Sequence, residues 1–469
     1  MKSSIDLFQS LSSLDLFIFF AILGLTLASV IYGQYRMKKS TEKETFLDLL
    51  IMGRRLTLPL FVATLVATWY GGIFGVTEIA FNQGIYNFIT QGVFWYVAYI
   101  IFAFFLIKKI EPYRAVTLPD LVGKMFGPRS AKLTAIFNFF NVLPIAYGIS
   151  LGIFLQLIFG GTLLLNTSLG VGFVVLYSMW GGLRSVVFSD LIQFFVMCLA
   201  VAFVLGFSFF EFGGLPYLKA NLPESYWSLT GKNSLATTFV WGFIALSTLV
   251  DPNFYQRCFS ATSGEVSKKG ILISTVIWFC FDICTTFGAM YAKAAIPDAQ
   301  SSHAYLTYAI QILPDGLKGF MLAGILATIL STLDSYLFIA GTNLAYDLAP
   351  KKYKGRVWVH HFGVIFVAVL TVIMSEYFQG NIKSVWKTLG SFSASCLLLP
   401  VIYGYLFPKQ ISDNQFVTAC LIGVVTTGTW RHIPKPGFYS NIDELYIGII
   451  ATSLTLLIYH LIRDKKLVG

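Results

Sequence analysis

The chain returns repeatedly to apolar runs long enough to cross a lipid bilayer, and no polar stretch of comparable length separates them. A helical span needs about 20 apolar residues, because each adds only about 1.5 Å of rise. Thirteen runs meet that need, at about 13–34, 57–84, 86–107, 130–158, 161–180, 186–210, 235–256, 270–292, 318–346, 358–376, 385–407, 414–430 and 445–462. Hydrophobic residues make up 56% of the chain and charged residues 12%, which leaves nothing to build a soluble domain. In lipid, backbone polar groups must be satisfied within the segment, which favours helices. The expected fold class is an all-α polytopic membrane protein of about 13 transmembrane helices, with 1–469 forming one domain.

The net charge of +10 follows the loops rather than an anionic partner, so nucleic-acid binding is excluded. Clusters such as Arg54–Arg55, Lys108–Lys109, Lys268–Lys269, Lys351–Lys352 and Lys465–Lys466, with Lys43, Arg184, Arg257 and others, put 24 of the 33 Lys and Arg on one side. That bias makes the side cytoplasmic, with the N-terminus outside and the C-terminus inside the cell membrane. The first run follows a polar, partly acidic lead, lacks a small-residue cleavage pattern and precedes a basic cluster, so it reads as a span and not a cleaved signal. The six cysteines lie in or beside apolar segments without metal-type spacing and read as small core residues.

Two spans carry residues that break helices. Leu65–Thr77 holds Gly71, Gly72 and Gly75 in an apolar run; Phe239–Tyr255 has Gly242 early and Asp251-Pro252 near its end. Freed carbonyls at membrane depth are tolerated where they line a cavity, and there they can coordinate Na⁺. A close glycine-mediated helix crossing is the alternative. With the 13–34 helix set aside, the breaks begin the first and sixth spans of a ten-helix block over about 57–407, the spacing an inverted 5+5 repeat requires. Two further helices, over about 414–462, would follow this core.

Between Gly319 and Leu344, Thr328, Ser331, Thr332 and Ser335 fall on one helical face at i, i+3, i+4 and i+7, with Asp334 at its edge. Back-bonding to the preceding turn explains single hydroxyls in apolar helices. Five oxygen-bearing residues on adjoining faces suit a partly desolvated cation, and an ionisable residue there points to an ion or substrate path.

Four stretches resemble the sodium/solute symporter family, whose members carry sugars, proline, pantothenate, sialic acid or iodide. They are YSMWGGLRSVVFSDLIQ (177–193), GRRLTLPLFVATLVATW (53–69), DPNFYQRCFSA (251–261) and ILATILSTLDSYL (325–337). The resemblance implies a Na⁺ site built from the carbonyls of Ala67, Tyr70 and Thr328 and the hydroxyls of Ser331 and Thr332. The family often has alanine at the position of Thr328, a change that a carbonyl donor tolerates. The resemblance also implies a candidate second site at Asp190, Asp334 and Ser335. Asp334 stands where some two-sodium relatives have serine, which leaves a second ion, a proton or a salt-bridge partner open.

Trp69, Glu78, Tyr147, Gln156 and Trp241 are the candidate solute contacts, polar tips on an otherwise aromatic lining. Each also reads as packing, and Glu78 as half of a buried pair. Asp190 could instead cap a helix near its cytoplasmic end. Asp282 reads as a structural pair and Asp251 as a cap on freed backbone. Arg257 is expected at the cytoplasmic mouth, as a gating pair or plain topological charge. The expected function is Na⁺-coupled symport of a small polar organic solute into the cell by alternating access, as a monomer, with Na⁺ as the coupling ion. Proton coupling through Asp190, Asp334 or Glu78 is the alternative, as is a transporter-like membrane sensor, which the short tail after Ile462 disfavours. No nucleophile–base pair or metal cluster suggests an enzyme.

Overall fold

A computed structural model describes residues 10–39, 46–179, 182–437, 439 and 442–468. Trp180 and Gly181 of the Gly-Gly-Leu stretch, and Lys43 of the first basic cluster, lie outside the described residues. The long helices are α1 (Ser13–Lys39), α2 (Leu58–Ala67), α3 (Ile73–Gln83), α4 (Phe88–Tyr113), α5 (Pro128–Asn141), α6 (Ile145–Phe159), α7 (Leu163–Ser178) and α8 (Gly182–Phe212). They continue as α9 (Leu235–Leu246), α10 (Pro252–Ser260), α11 (Gly264–Ala295), α12 (Leu317–Thr342), α13 (Val357–Tyr377), α14 (Ile382–Leu406), α15 (Asp413–His432) and α16 (Glu444–Val468). Shorter helices fill the connections.

Ten helical stretches among the described residues, two of them (Pro128–Phe159 and Leu235–Ser260) running across a bend, are long and apolar enough to cross a membrane, three fewer than the thirteen expected. The difference has local causes. The run at 57–84 is split into α2 and α3, each too short alone, and α7 has only 16 residues. α15 is long enough, but Asp413, Asn414, Arg431 and His432 make its ends polar.

Caps and prolines set the helix starts. Thr57 leads into Pro59 at the first turn of α2, Ser234 accepts the Thr237 amide at the start of α9, and Ser263 accepts Val266 at the start of α11. The expected rod at 130–158 is two helices. Pro144 has no amide to continue the ladder, and the chain turns through Val142–Pro144. Gly242 does not break its span: α9 runs through it to Leu246, and the interruption comes at Ser247–Asp251, before Pro252.

α12 is the axis of the molecule. Its whole hydrophobic window is buried, and it packs against α1, α6, α8 and α13. α2 lies against α8 and α11, while α15 and α16 pack on each other and on the middle of α14. Small residues allow these close approaches. A Cβ at Gly319 would run into the Asp15 backbone of α1, and one at Gly324 into Ala200 of α8. The Asp15 carboxylate accepts the Gly316 and Gly319 amides at 2.7 and 2.9 Å, tying α1 to the start of α12.

Candidate functional site

The first break releases the chain between Ala67 and Ile73, where no helix carries residues 68–72. Glycine is needed there for room. A Cβ on Gly71 would collide with the Thr332 side chain and the Tyr147 ring, and one on Gly72 with the Trp386 indole. The break therefore sits directly on the hydroxyl ridge of α12. The Thr332 hydroxyl lies 3.4 Å from the Ala67 carbonyl and 3.1 Å from that of Thr328. Ala67, Thr328, Ser331 and Thr332 are almost completely buried, and Tyr70 nearly so. Of the five residues implied as a Na⁺ site, Ala67, Thr328 and Thr332 meet at this buried junction, with Tyr70 in the break itself and Ser331 beside Thr332 on α12.

Ser331 turns its hydroxyl proton away from the break, donating to Asp190 Oδ1 at 2.6 Å. Thr64 of α2 donates to the other carboxylate oxygen. Asp190 lies within α8, well past its first turn, so it is no helix cap. Arg257 is not at a cytoplasmic mouth: it is fully buried, which removes it from the basic side counted in the sequence. Its guanidinium reaches Ser335 Oγ at 2.9 Å, bonds Asn253 and comes within 3.9 Å of Asp190 Oδ2. A buried charge must be paired, and loop counting cannot see that a basic residue folds inward.

Asp190 and Ser335 therefore meet around Arg257, whereas Asp334 turns aside. Asp334 Oδ2 takes the Tyr177 hydroxyl at 3.3 Å, and its buried Oδ1 has no hydrogen-bond partner among the described residues. Asp282 accepts two phenols, Tyr70 from the break and Tyr96 from α4, the structural pairing expected of it.

Beside the break lies a cavity of about 140 Å³, lined on one side by Trp69, Tyr70 and Gly72 and on the other by Ser247, Thr248 and Asp251 of the second break. Of the expected solute contacts, Trp69 and Tyr147 line it; Glu78, Gln156 and Trp241 do not. Glu78 is held by Lys383 at 3.0 Å, at the start of α14. Gln156 sits in the last turn of α6 and donates to the Gly161 carbonyl at 2.9 Å, satisfying backbone beyond the helix end. Trp241 meets the Tyr86 hydroxyl. Asp251 does cap freed backbone, accepting the Asn253 and Phe254 amides at 2.8 and 3.3 Å, and it also faces the cavity. Gln91, Trp95, Tyr336 and Trp386 line the cavity as well and were missed. None of the four carries a signal in the sequence; the fold packs the Trp386 indole where Gly72 and Gly75 leave room.

Comparison with known proteins bears on this arrangement. The sodium:solute symporter family pattern matches residues 50–423. The chain is 25% identical over 318 residues to a sodium/pantothenate symporter of Haemophilus influenzae, covering 62% of this chain and 66% of that protein. It is 22% identical over 416 residues to sodium/glucose cotransporter 2 of Rattus norvegicus, covering 71% and 61%. The chain thus spans less than two thirds of either relative's length. A solved structure of a Na⁺-coupled sialic acid symporter, substrate-bound and outward-open, shares the fold at a TM-score of 0.74 and 15% identity, over 96% of this chain and 97% of that one. The family match runs through both helix breaks and the hydroxyl ridge: this multi-pass membrane chain belongs to the sodium:solute symporter family, a family of transporters and not of enzymes.

Proposed function

We propose that this chain couples Na⁺ entry to the uptake of a small polar organic solute by alternating access. One observation carries the reading: at a helix break deep in the bundle, the Thr332 hydroxyl stands 3.4 Å from the Ala67 carbonyl. Na⁺ from outside binds the carbonyls of Ala67, Tyr70 and Thr328 and the hydroxyls of Ser331 and Thr332. Asp190 holds the Ser331 proton so that the oxygen faces the ion. Binding joins the loose first break to α12, and this favours the state in which the cavity accepts solute. Such coupling is a differential affinity, typically about 1–3 kcal/mol. The membrane potential adds about 2.3 kcal/mol per charge for each 100 mV.

In this reading the core over about 57–407 is an inverted 5+5 repeat of ten helices, with the breaks in its first and sixth members. One extra helix (13–34) precedes it and two (about 414–462) follow, giving thirteen crossings. The N-terminus is outside, the C-terminus is cytoplasmic, and one copy suffices.

At the second position, among Asp190, Asp334 and Ser335, the Arg257 guanidinium is the resident cation, and the chain carries one Na⁺ per cycle. A proton-coupled reading is favoured by a single feature, the buried Asp334 Oδ1 without a partner among the described residues. Thermal unfolding of the purified protein, titrated with NaCl in a constant KCl background, separates the two. Na⁺ is expected to raise the midpoint by mass action, and Ser331→Ala with Thr332→Ala to abolish the rise. A midpoint that follows pH and ignores Na⁺ selects the proton.

A further inference from the structure

We propose that the solute is an organic cation, a compact methylated ammonium carrying one oxygen acceptor; this rests on the reading of the cavity between the breaks as the solute site. Five rings stand in its walls, Trp69, Trp95, Tyr147, Tyr336 and Trp386, beside the polar side chains of Gln91, Asn141, Ser247 and Thr248. Tyr147 and Tyr336 meet edge to face with centroids 5.0 Å apart, which angles their faces differently. Aromatic faces attract a cation through the ring quadrupole, and a cage of several is the recognised way to hold a quaternary ammonium without hydrogen bonds.

The charge around the cavity has one sign. Among the described residues no Lys, Arg or His lines it, and Asp251 is the one carboxylate that does. The Tyr336 hydroxyl, 3.3 Å from Asp251 Oδ2, links that carboxylate to the ring cage. A second carboxylate, Asp282, lies behind Tyr70, bonded to two phenols instead of a base. Arg257, a short way along α10, is engaged with Asp190, Asn253 and Ser335. A solute bearing only a carboxylate would meet like charge with no basic partner. Gln91 Nε2, in the wall, is buried and has no hydrogen-bond partner among the described residues. It fits a single hydroxyl or carbonyl on the solute, and a cavity of about 140 Å³ suits a compact one.

The test is binding by the purified wild-type protein, read by tryptophan fluorescence and calorimetry. The probes are choline, its uncharged isostere 3,3-dimethylbutan-1-ol, glucose and proline, each in NaCl and in KCl. Choline is expected to bind and the isostere to bind at least ~30-fold more weakly, since only the charge differs. Asp251→Asn, which keeps an acceptor for the α10 cap, is expected to weaken choline at least ~10-fold while the protein still elutes as a folded species. Equal binding of choline and its isostere overturns the proposal, as does binding of glucose or proline without choline. The Na⁺ arm separates the two readings. Na⁺-dependent binding of an uncharged solute removes the cation cage and keeps the coupling; choline binding indifferent to Na⁺ removes the coupling and keeps the cage.

Discussion

Replacing Arg257 by methionine is the sharpest structural perturbation available. Both the guanidinium and the Asp190 carboxylate are fully buried, 3.9 Å apart. Two unit charges at that distance interact by about 4 kcal/mol at an effective dielectric near 20. This agrees with the roughly 3–5 kcal/mol lost when one partner of a buried pair is removed and the other charge is stranded. With an unfolding entropy near 2.1 cal/mol/K per residue, 469 residues convert 4 kcal/mol into a fall of roughly 4 °C in the melting midpoint. The reasoning also requires a rescue. Asp190→Asn combined with Arg257→Met removes both charges, keeps one acceptor oxygen for Ser331 or Thr64 while its amide donates to the other hydroxyl, and should recover most of the loss. Transport should not recover, because asparagine no longer fixes the Ser331 proton as firmly. Melting of the single and double variants in detergent, at matched salt, is the assay. If the double variant melts as low as Arg257→Met, the guanidinium is not the counter-ion of Asp190 and the account of the second position fails. The Arg257→Met single variant carries a further signature: with the resident cation gone, NaCl should stabilise it more steeply than it stabilises the wild type.

Three other outcomes follow from the geometry. Gly72→Ala places a methyl where the Trp386 indole packs, so it should abolish uptake in proteoliposomes and shift tryptophan fluorescence, whereas Gly172→Ala, in open space on α7, should change neither. Glu78 and Lys383 tie α3 to α14 in a partly exposed pair, so charge reversal at either should slow uptake and Glu78→Lys with Lys383→Glu should restore it, with a coupling of only about 1 kcal/mol in a double-mutant cycle. Asp282→Leu strands the buried phenol of Tyr70 and the partly buried one of Tyr96, and should cost about 2–5 kcal/mol in thermal melting, with Asp282→Asn costing less because its oxygen accepts one phenol and its amide donates to the other.

The sequence revealed whatever depends on local chemistry. Runs of apolar residues mark the helices, the glycines at 71 and 72 mark the first break, and Asp251-Pro252 marks the second with its cap. The hydroxyl spacing at 328, 331 and 332 puts three oxygens on one face of α12 whatever surrounds that helix. What stayed hidden depends on which distant segments meet. Trp95, Tyr336 and Trp386 look like ordinary apolar-helix residues until the bundle sets them around one space. Arg257 was misplaced because counting positive charges by side treats every basic residue as a loop residue, and only the folded chain shows its anionic partner. Gln156 and Trp241 were drawn toward the cavity by residue type, though each is occupied nearby. The bend at Pro144 was legible in principle, since proline removes a ladder hydrogen bond wherever it sits, but the hydropathy of 130–158 runs smoothly across it.

The central claim is that one sodium ion is held between the broken first core helix and the hydroxyls of α12. Equilibrium binding of radioactive sodium to the purified protein tests it most directly. The account predicts one ion bound per chain, lost in Ser331→Ala with Thr332→Ala and retained in Glu78→Gln. Undiminished sodium binding in the double-alanine variant would contradict it.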